Sequence, residues 1–337
     1  MMGANDIDRL QWLQARMLGI GGSDIGAILG VNKWKSPVDV WLDKTGRTEP
    51  DMEMSEPAYF GIELESFVAT EYSKRSGNKV QRVNQMMRHP EHNWMLANID
   101  RAVVADGSRA RLDKDGKLVG INGLLECKTS SAYAAKEWEN DSAPLSYVAQ
   151  CQWYMAVTGA EWCDLAVLIG GQKYVCHRID RDESLIASLI DAGRQFWTGC
   201  CIADQPPAPR TPEETLALFP TNASDDLVIA SDDIMHAIEA YQLLKQKAKG
   251  VDDEMNAVKA AIQSFIGTHS GVCDMQGSPL ATWKQNKPSQ KTNWKDAAAE
   301  IKAELIEAGH DDLADIVRDI INKHTTEQPG ARPLIIK

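Results

Sequence analysis

Asp100 and the tripeptide Glu126-Cys127-Lys128 are the residues of this sequence best suited to chemistry. Each falls in a short run rich in Val, Ile and Leu, and such runs read as buried strands. Residues two apart in a strand share a face, so Glu126 and Lys128 project together while Cys127 points into the core. A carboxylate and an amine on a buried strand are costly unless they are paired or bound to a metal. The hard oxygens of Asp100 and Glu126, with the Cys127 carbonyl as a third, suit one or two Mg²⁺ ions, or Mn²⁺ in their place. Such an ion would acidify a water molecule and neutralise charge gathering on a phosphate, while Lys128 orients that water or stabilises the pentavalent transition state. Alone, Glu-x-Lys more often marks a solvated strand face, so its surroundings decide.

The elements that must position these groups can be read from hydrophobic periodicity. Helices are predicted over 7–18, after the glycine-rich turn at 19–22 where Ser23 or Asp24 can cap, from Pro37, and over 59–76. The period then changes to short apolar strands at 79–88, 94–104 and 121–128. A helix at 144–158, strands 162–170 and 173–179 joined by Gly170-Gly171, and a helix at 182–199 follow. This is an α/β plan with a mixed central sheet flanked by helices, over residues 1–203. Five prolines between Asp204 and Pro220 mark 204–228 as a linker. From 229 to 337 a mainly helical C-terminal module is expected. It is led by a helix on which Ile234, Ile238, Tyr241, Leu244, Ala248, Val251, Met255, Val258, Ile262 and Phe265 recur at three- and four-residue steps, a coiled-coil-like seam with Gly250 as its weak point. A β-like piece at 279–285 and a helix at 293–308 complete the module.

Composition sets limits on function. The net charge of −12 excludes a generic nucleic-acid coat protein, so any DNA contact must use a local concentration of basic groups. Seven cysteines without a C-x-x-C pair predict reduced thiols and no zinc ribbon. No run of about 18 apolar residues or export signal is evident, which predicts a cytoplasmic protein without a membrane span. His89, His92 and His177 lack ligand spacing and read as structural. The tryptophans, Trp12, Trp34, Trp41, Trp94 and Trp153 among them, read mostly as core, with one able to serve as a wedge at a duplex end. Lys33, Trp34 and Lys35 form a small basic–aromatic spot, a candidate DNA contact.

Five ordered motifs sharpen this reading: Arg16-Met17-Leu18-Gly19-Ile20-Gly21-Gly22-Ser23-Asp24, Gly61-Ile62-Glu63-Leu64-Glu65, Asn98-Ile99-Asp100, Leu125-Glu126-Cys127-Lys128 and Ala149-Gln150-Cys151-Gln152-Trp153-Tyr154-Met155. In this order they resemble the YqaJ-like viral recombinase and phage lambda exonuclease family of PD-(D/E)xK nucleases, over roughly residues 10–200. The proline that usually precedes the first acid is absent. The resemblance implies a restriction-endonuclease-like core and a Mg²⁺-dependent 5′→3′ exonuclease acting on double-stranded DNA ends. Such an enzyme leaves a 3′ single strand for a single-strand annealing partner. Some nucleases of this superfamily hold an iron–sulfur cluster through a cysteine well before the active site, and because no cysteine precedes Cys127 none is expected here. Relatives can form ring-shaped trimers that enclose DNA, so the resemblance makes a homotrimer with a basic hole a further expectation. By the same resemblance Asp100, Glu126 and Lys128 are catalytic, Glu65 reaches the metal directly or through water, and Gln150 holds Lys128 or a metal-associated water. Arg16 and Ser23 grip a terminal 5′-phosphate, and Tyr154 packs nearby, within reach of DNA. Two other readings stay open: a structure-specific or single-strand endonuclease, and a DNA-binding recombination scaffold without catalysis.

Overall fold

The computed structural model describes residues 12–48, 55–139, 142–285 and 294–323. The chain divides into two compact units, Met1–Pro220 and Thr221–Lys337.

The first unit is built on a strand, β7 (Ile121–Ser130), which follows six shorter ones: β1 (Val80–Gln81), β2 (Met87–Arg88), β3 (Leu96–Ala97), β4 (Arg101–Val104), β5 (Arg111–Leu112) and β6 (Leu118–Val119). With β8 (Trp162–Ile169) and β9 (Lys173–Asp180) it forms a five-stranded mixed sheet, ordered β1-β4-β7-β8-β9. β7 pairs antiparallel with β4 and parallel with β8. A parallel neighbour requires a crossover, and the helix Leu145–Thr158 supplies it. Before the sheet come a helical stretch at residues 12–17 (α1), α2 (Gly22–Ile28), α3 (Pro37–Lys44) and α4 (Glu56–Ser76), which makes the crossover helix α5. The hairpin from β8 to β9 turns through Gly170 and Gly171, with φ of 57° and 70°, a region glycine enters without a Cβ clash.

Side-chain alternation divides the core in two. Leu124, Ala102, Leu165 and Val167 join the α2–α5 side, while Leu125, Cys127, Val103, Ala166 and Leu168 pack on Val68, Ala69 and Tyr72 of α4. β8 is buried along almost its whole length, as a central strand with both faces covered must be. This is the expected α/β architecture, a mixed sheet between helical layers. After it come α6 (Glu183–Phe196), a π-helical turn at Trp197–Ile202 and α7 (Pro212–Leu218).

Three local expectations need correction. The runs 79–88 and 94–104 are not continuous strands: β2 and β3 pair with each other, and the chain joins the main sheet only at Arg101. The break arises because Ile20 bonds the main chain on either side of Met95, which holds that segment away from the sheet. Asp100 therefore lies at the break and not within a strand. The proline-rich stretch also carries α7, because Pro212 suits a first turn and Thr211 caps the Glu214 amide at 3.2 Å. The predicted 7–18 helix is described only from residue 12, and its beginning lies outside the described residues.

In the second unit, α8 (Asp232–Ile266) runs unbroken through Gly250. It is followed by a hairpin of β10 (Gly271–Cys273) with β11 (Pro279–Thr282), then by α9 (Trp294–Glu307) and α10 (Asp311–Lys323), the last of which sequence reading missed. Among the described residues no helix is long and apolar enough to cross a membrane.

Candidate active site

The register of β4 on β7 sets Arg101 opposite Leu125, so one step further Asp100 stands across from Glu126. There the strand pairing stops, and the Cys127 amide donates instead to Asp100 Oδ2 at 2.8 Å. Glu126 is 2% exposed, and its Oε1 accepts from Lys128 Nζ at 2.6 Å and from Gln150 Nε2 at 2.6 Å. Its other oxygen, Oε2, is buried with no hydrogen-bond partner among the described residues. Gln150 also donates to the Tyr154 hydroxyl at 3.0 Å. These two residues are one helical turn apart on α5, so the helix delivers both to the same place. The alternation expected of Glu126, Cys127 and Lys128 is present, with Cys127 in the α4-side core.

Arg16 and Ser23 share this cleft, of about 200 Å³, with Asp100, Glu126, Lys128, Gln150 and Tyr154. Gly22 makes the approach possible: a Cβ there would lie 2.4 Å from Tyr154 Cε1, so only glycine lets α2 sit this close to α5. Arg16 donates to Ser23 Oγ at 2.9 Å, and its guanidinium lies over the Trp12 ring at 4.7 Å. Beneath them is a group whose weight sequence reading missed. Asp24, 1% exposed, meets Lys44 at 2.6 Å, Lys35 at 3.4 Å and Arg16 at 3.7 Å, besides accepting from the Gly21 amide. Burial pushes the Asp24 carboxyl up, but the three cations, Lys44 foremost, together hold it well below the usual carboxylate range. In the sequence Asp24 looks only like a helix cap, and Lys44 carries no signal because its partner is 20 positions away.

Glu65 is not brought to the cleft. Arg101 points to the α4 side of the sheet and pairs with Glu65 there, while also donating to Ser66 and to the Asp100 carbonyl. Without a metal, Glu65 is held by an ion pair, and its partner, Arg101, is the immediate neighbour of Asp100. Lys33, Trp34 and Lys35 line a separate depression with Arg210 and Glu214. Lys33 is paired with Glu137 at 2.7 Å and Lys35 with Asp43 at 2.6 Å, so neither amine is free, while the Trp34 ring is 90% exposed.

Two carboxylates therefore converge, and among the described residues no group of three or more His, Cys, Asp or Glu side chains is arranged to hold a metal. That donor set fits Mg²⁺, which binds through one or two carboxylates and completes its shell with water and phosphate oxygens. The buried Glu126 Oε2 without a partner is the atom such an ion would satisfy. Burial, reinforced by Asp100, pushes Glu126 up to about 8 in spite of Lys128. Burial likewise raises Asp100, against the pull of Lys128. Lys128 stays protonated, because Glu126 and Asp100 outweigh its own burial.

A pH dependence follows. The folded-state pKa of Glu126 lies above its unfolded value, so without a cation the neutral acid predominates below about 8. A divalent cation must displace that proton, so its affinity rises with pH. Titration calorimetry with Mg²⁺ should give roughly tenfold tighter binding at pH 8.5 than at 6.5. A flat profile would show that Glu126 is not a ligand.

Residues 11–161 match the model of the YqaJ-like viral recombinase domain. Over 317 residues the chain is 37% identical to the uncharacterized protein YqaJ of Bacillus subtilis (strain 168), covering 89% of this chain and 92% of that one. Among solved structures, the chain is similar to the alkaline exonuclease LHK-Exo of Laribacter hongkongensis (22% identity, TM-score 0.46, 58% of this chain and 93% of that one). It is also similar to a phage related exonuclease of Haemophilus somnus 129PT (12% identity, TM-score 0.37, 55% and 96%). On the extent and identity of the Bacillus match, together with the matched domain, this chain belongs to the YqaJ-like viral recombinase family.

Proposed function

We propose that the chain is a Mg²⁺-dependent deoxyribonuclease of the PD-(D/E)xK type that digests double-stranded DNA from its 5′ ends. The 3′ single strand left behind would be handed to a single-strand annealing protein. The observation that carries this reading is one cleft joining two unlike halves: the pair Glu126–Lys128 with Asp100, and the anion-seeking pair Arg16–Ser23. A site for internal cleavage needs the first half only. A neighbouring guanidinium, hydroxyl and helix start suit a terminal phosphate, and so favour action at ends.

Asp100, Glu126 and the Cys127 carbonyl would hold the ion, whose chemistry is to acidify water and offset charge on the scissile phosphate. Gln150 fixes the Glu126 carboxylate, and the Cys127 amide fixes Asp100. Lys128 spends one N–H on Glu126 and keeps the others for a phosphoryl oxygen. Arg16 and Lys44 add positive charge at the cleft, a local answer to the overall charge of −12.

Linear duplex with 5′-phosphates should be degraded with Mg²⁺ and spared with EDTA, and a covalently closed circle should remain intact. In the Arg16→Ala variant, digestion of 5′-phosphorylated ends should fall about tenfold to a hundredfold, with a much smaller loss on 5′-hydroxyl ends. Cleavage of the closed circle would replace the end-dependent reading with an endonuclease. Duplex binding without hydrolysis under any divalent cation would leave a scaffold.

A further inference from the structure

The second unit carries an apolar stripe along α8. Ile234, Tyr241, Leu244, Met255, Val258 and Phe265 are between 48% and 79% exposed. We propose that this stripe is the interface for a second copy of the chain, the two α8 helices pairing antiparallel about a dyad beside Gly250.

Three observations converge on that occupant. The first is the spacing of the stripe. Reversing α8 about the point between Lys249 and Gly250 exchanges Ile234 with Phe265, Tyr241 with Val258, Leu244 with Met255 and Ala248 with Val251. An antiparallel partner of the same sequence therefore meets apolar residues at each of these levels, over roughly 46 Å at 1.5 Å per residue. Ala248, small and at the centre of the stripe, lets the two backbones approach closely.

The second is charge. Lys247 and Glu254 are one heptad apart on one flank of the stripe, and Lys245 and Asp252 are one heptad apart on the other. In an antiparallel pair each flank faces its own counterpart, so Lys247 of one copy meets Glu254 of the other, and Lys245 meets Asp252. By symmetry each contact occurs twice.

The third is the shape of the unit. The C-terminal half of α8, from Val251 to Ile266, borders an apolar groove of about 650 Å³ whose far wall is Ala281, Thr282 and Trp283. The N-terminal half has exposed apolar residues, and none of them lines this groove. Antiparallel pairing lays the bare half of each copy in the groove of the other, whereas parallel pairing would bring two hairpins to one level and leave both bare halves together.

Sedimentation of the full chain at micromolar concentration tests this. Leu244→Asp should lower the assembly mass by abolishing the pairing, with helical content unchanged by circular dichroism. Any association contributed by the first unit is common to all variants. Lys247→Glu should raise the dissociation constant roughly tenfold, because both symmetry-related contacts become repulsive. Adding Glu254→Lys should restore it. In a parallel pair the double variant would instead set the introduced carboxylate near Asp252 and the introduced amine near Lys259, and would be no better than the single one. A mass insensitive to Leu244→Asp overturns the proposal. So does a monomeric chain whose melting temperature falls on that substitution, which would mean the chain covers its own stripe. Failure of the second charge reversal to rescue the first overturns the antiparallel dyad.

Discussion

Lys128→Ala is expected to lower DNA hydrolysis by a factor of about 10² to 10³ or more while leaving duplex affinity close to that of the wild type. The amine is 2.6 Å from Glu126 Oε1, and two losses follow from removing it. The cation that would face the phosphate disappears. Glu126, already pushed up to about 8 by burial and Asp100, also loses the charge that pulled it down, so it holds its proton more firmly and binds a divalent ion more weakly. Gln150 still bonds the carboxyl, so the fold should survive. Digestion of end-labelled duplex, beside fluorescence anisotropy in EDTA, separates the two readouts. Undiminished hydrolysis would remove Lys128 from the reaction, and a matching loss of binding would make it a DNA contact.

The second large effect is on stability. Asp24→Ala should cost about 3–5 kcal/mol of unfolding free energy, the range for breaking a buried ion pair from one side. Lys44, whose side chain is 4% exposed, would be left with its charge uncompensated, and Arg16 and Lys35 would repel it. The wild-type protein gains from Asp24 at neutral pH, because a carboxyl held below its unfolded pKa stabilises above that value. The gain is lost as pH falls towards the folded-state pKa. Denaturant titrations at pH 5 and at about pH 2, on either side of the unfolded carboxyl value of 3.8, should therefore differ less for the variant than for the wild type. A cost under about 1 kcal/mol would show that Asp24 is no more than a helix cap.

How far the sequence could be read follows from the range of the interactions involved. Glu126, Cys127 and Lys128 were legible because strand alternation is a local rule. Gln150 and Tyr154 were legible because one turn of helix is equally local. The mixed sheet followed from the alternation of short apolar runs with amphipathic helices. What escaped depends on partners distant in sequence. Arg101 claims Glu65 from 36 positions away, so a carboxylate in a matching motif ends in an ion pair. The cluster on Asp24 joins α1, α2 and α3 with the loop between the last two, and no spacing rule connects them. Lys33 and Lys35 read as free basic groups because no spacing rule links them to Glu137 and Asp43, their partners in the fold. Asp100 reads as a strand residue because Ile99 and Val103 continue an apolar run. The break before Arg101 is imposed by Ile20, some 80 residues earlier.

The place where β4 leaves β7 bears on how much the sequence around Asp100 is free to vary. A main-chain N–H that has lost its rung on the ladder is taken up by the aspartate, so the orientation of that carboxylate is set by peptide geometry that every residue type shares. Nothing in this bracing calls on the side chain of the residue just before it, Ile99. This chain can therefore place isoleucine ahead of the acid, where the PD-(D/E)xK pattern has proline, and still hold the Asp100 carboxylate towards the cleft.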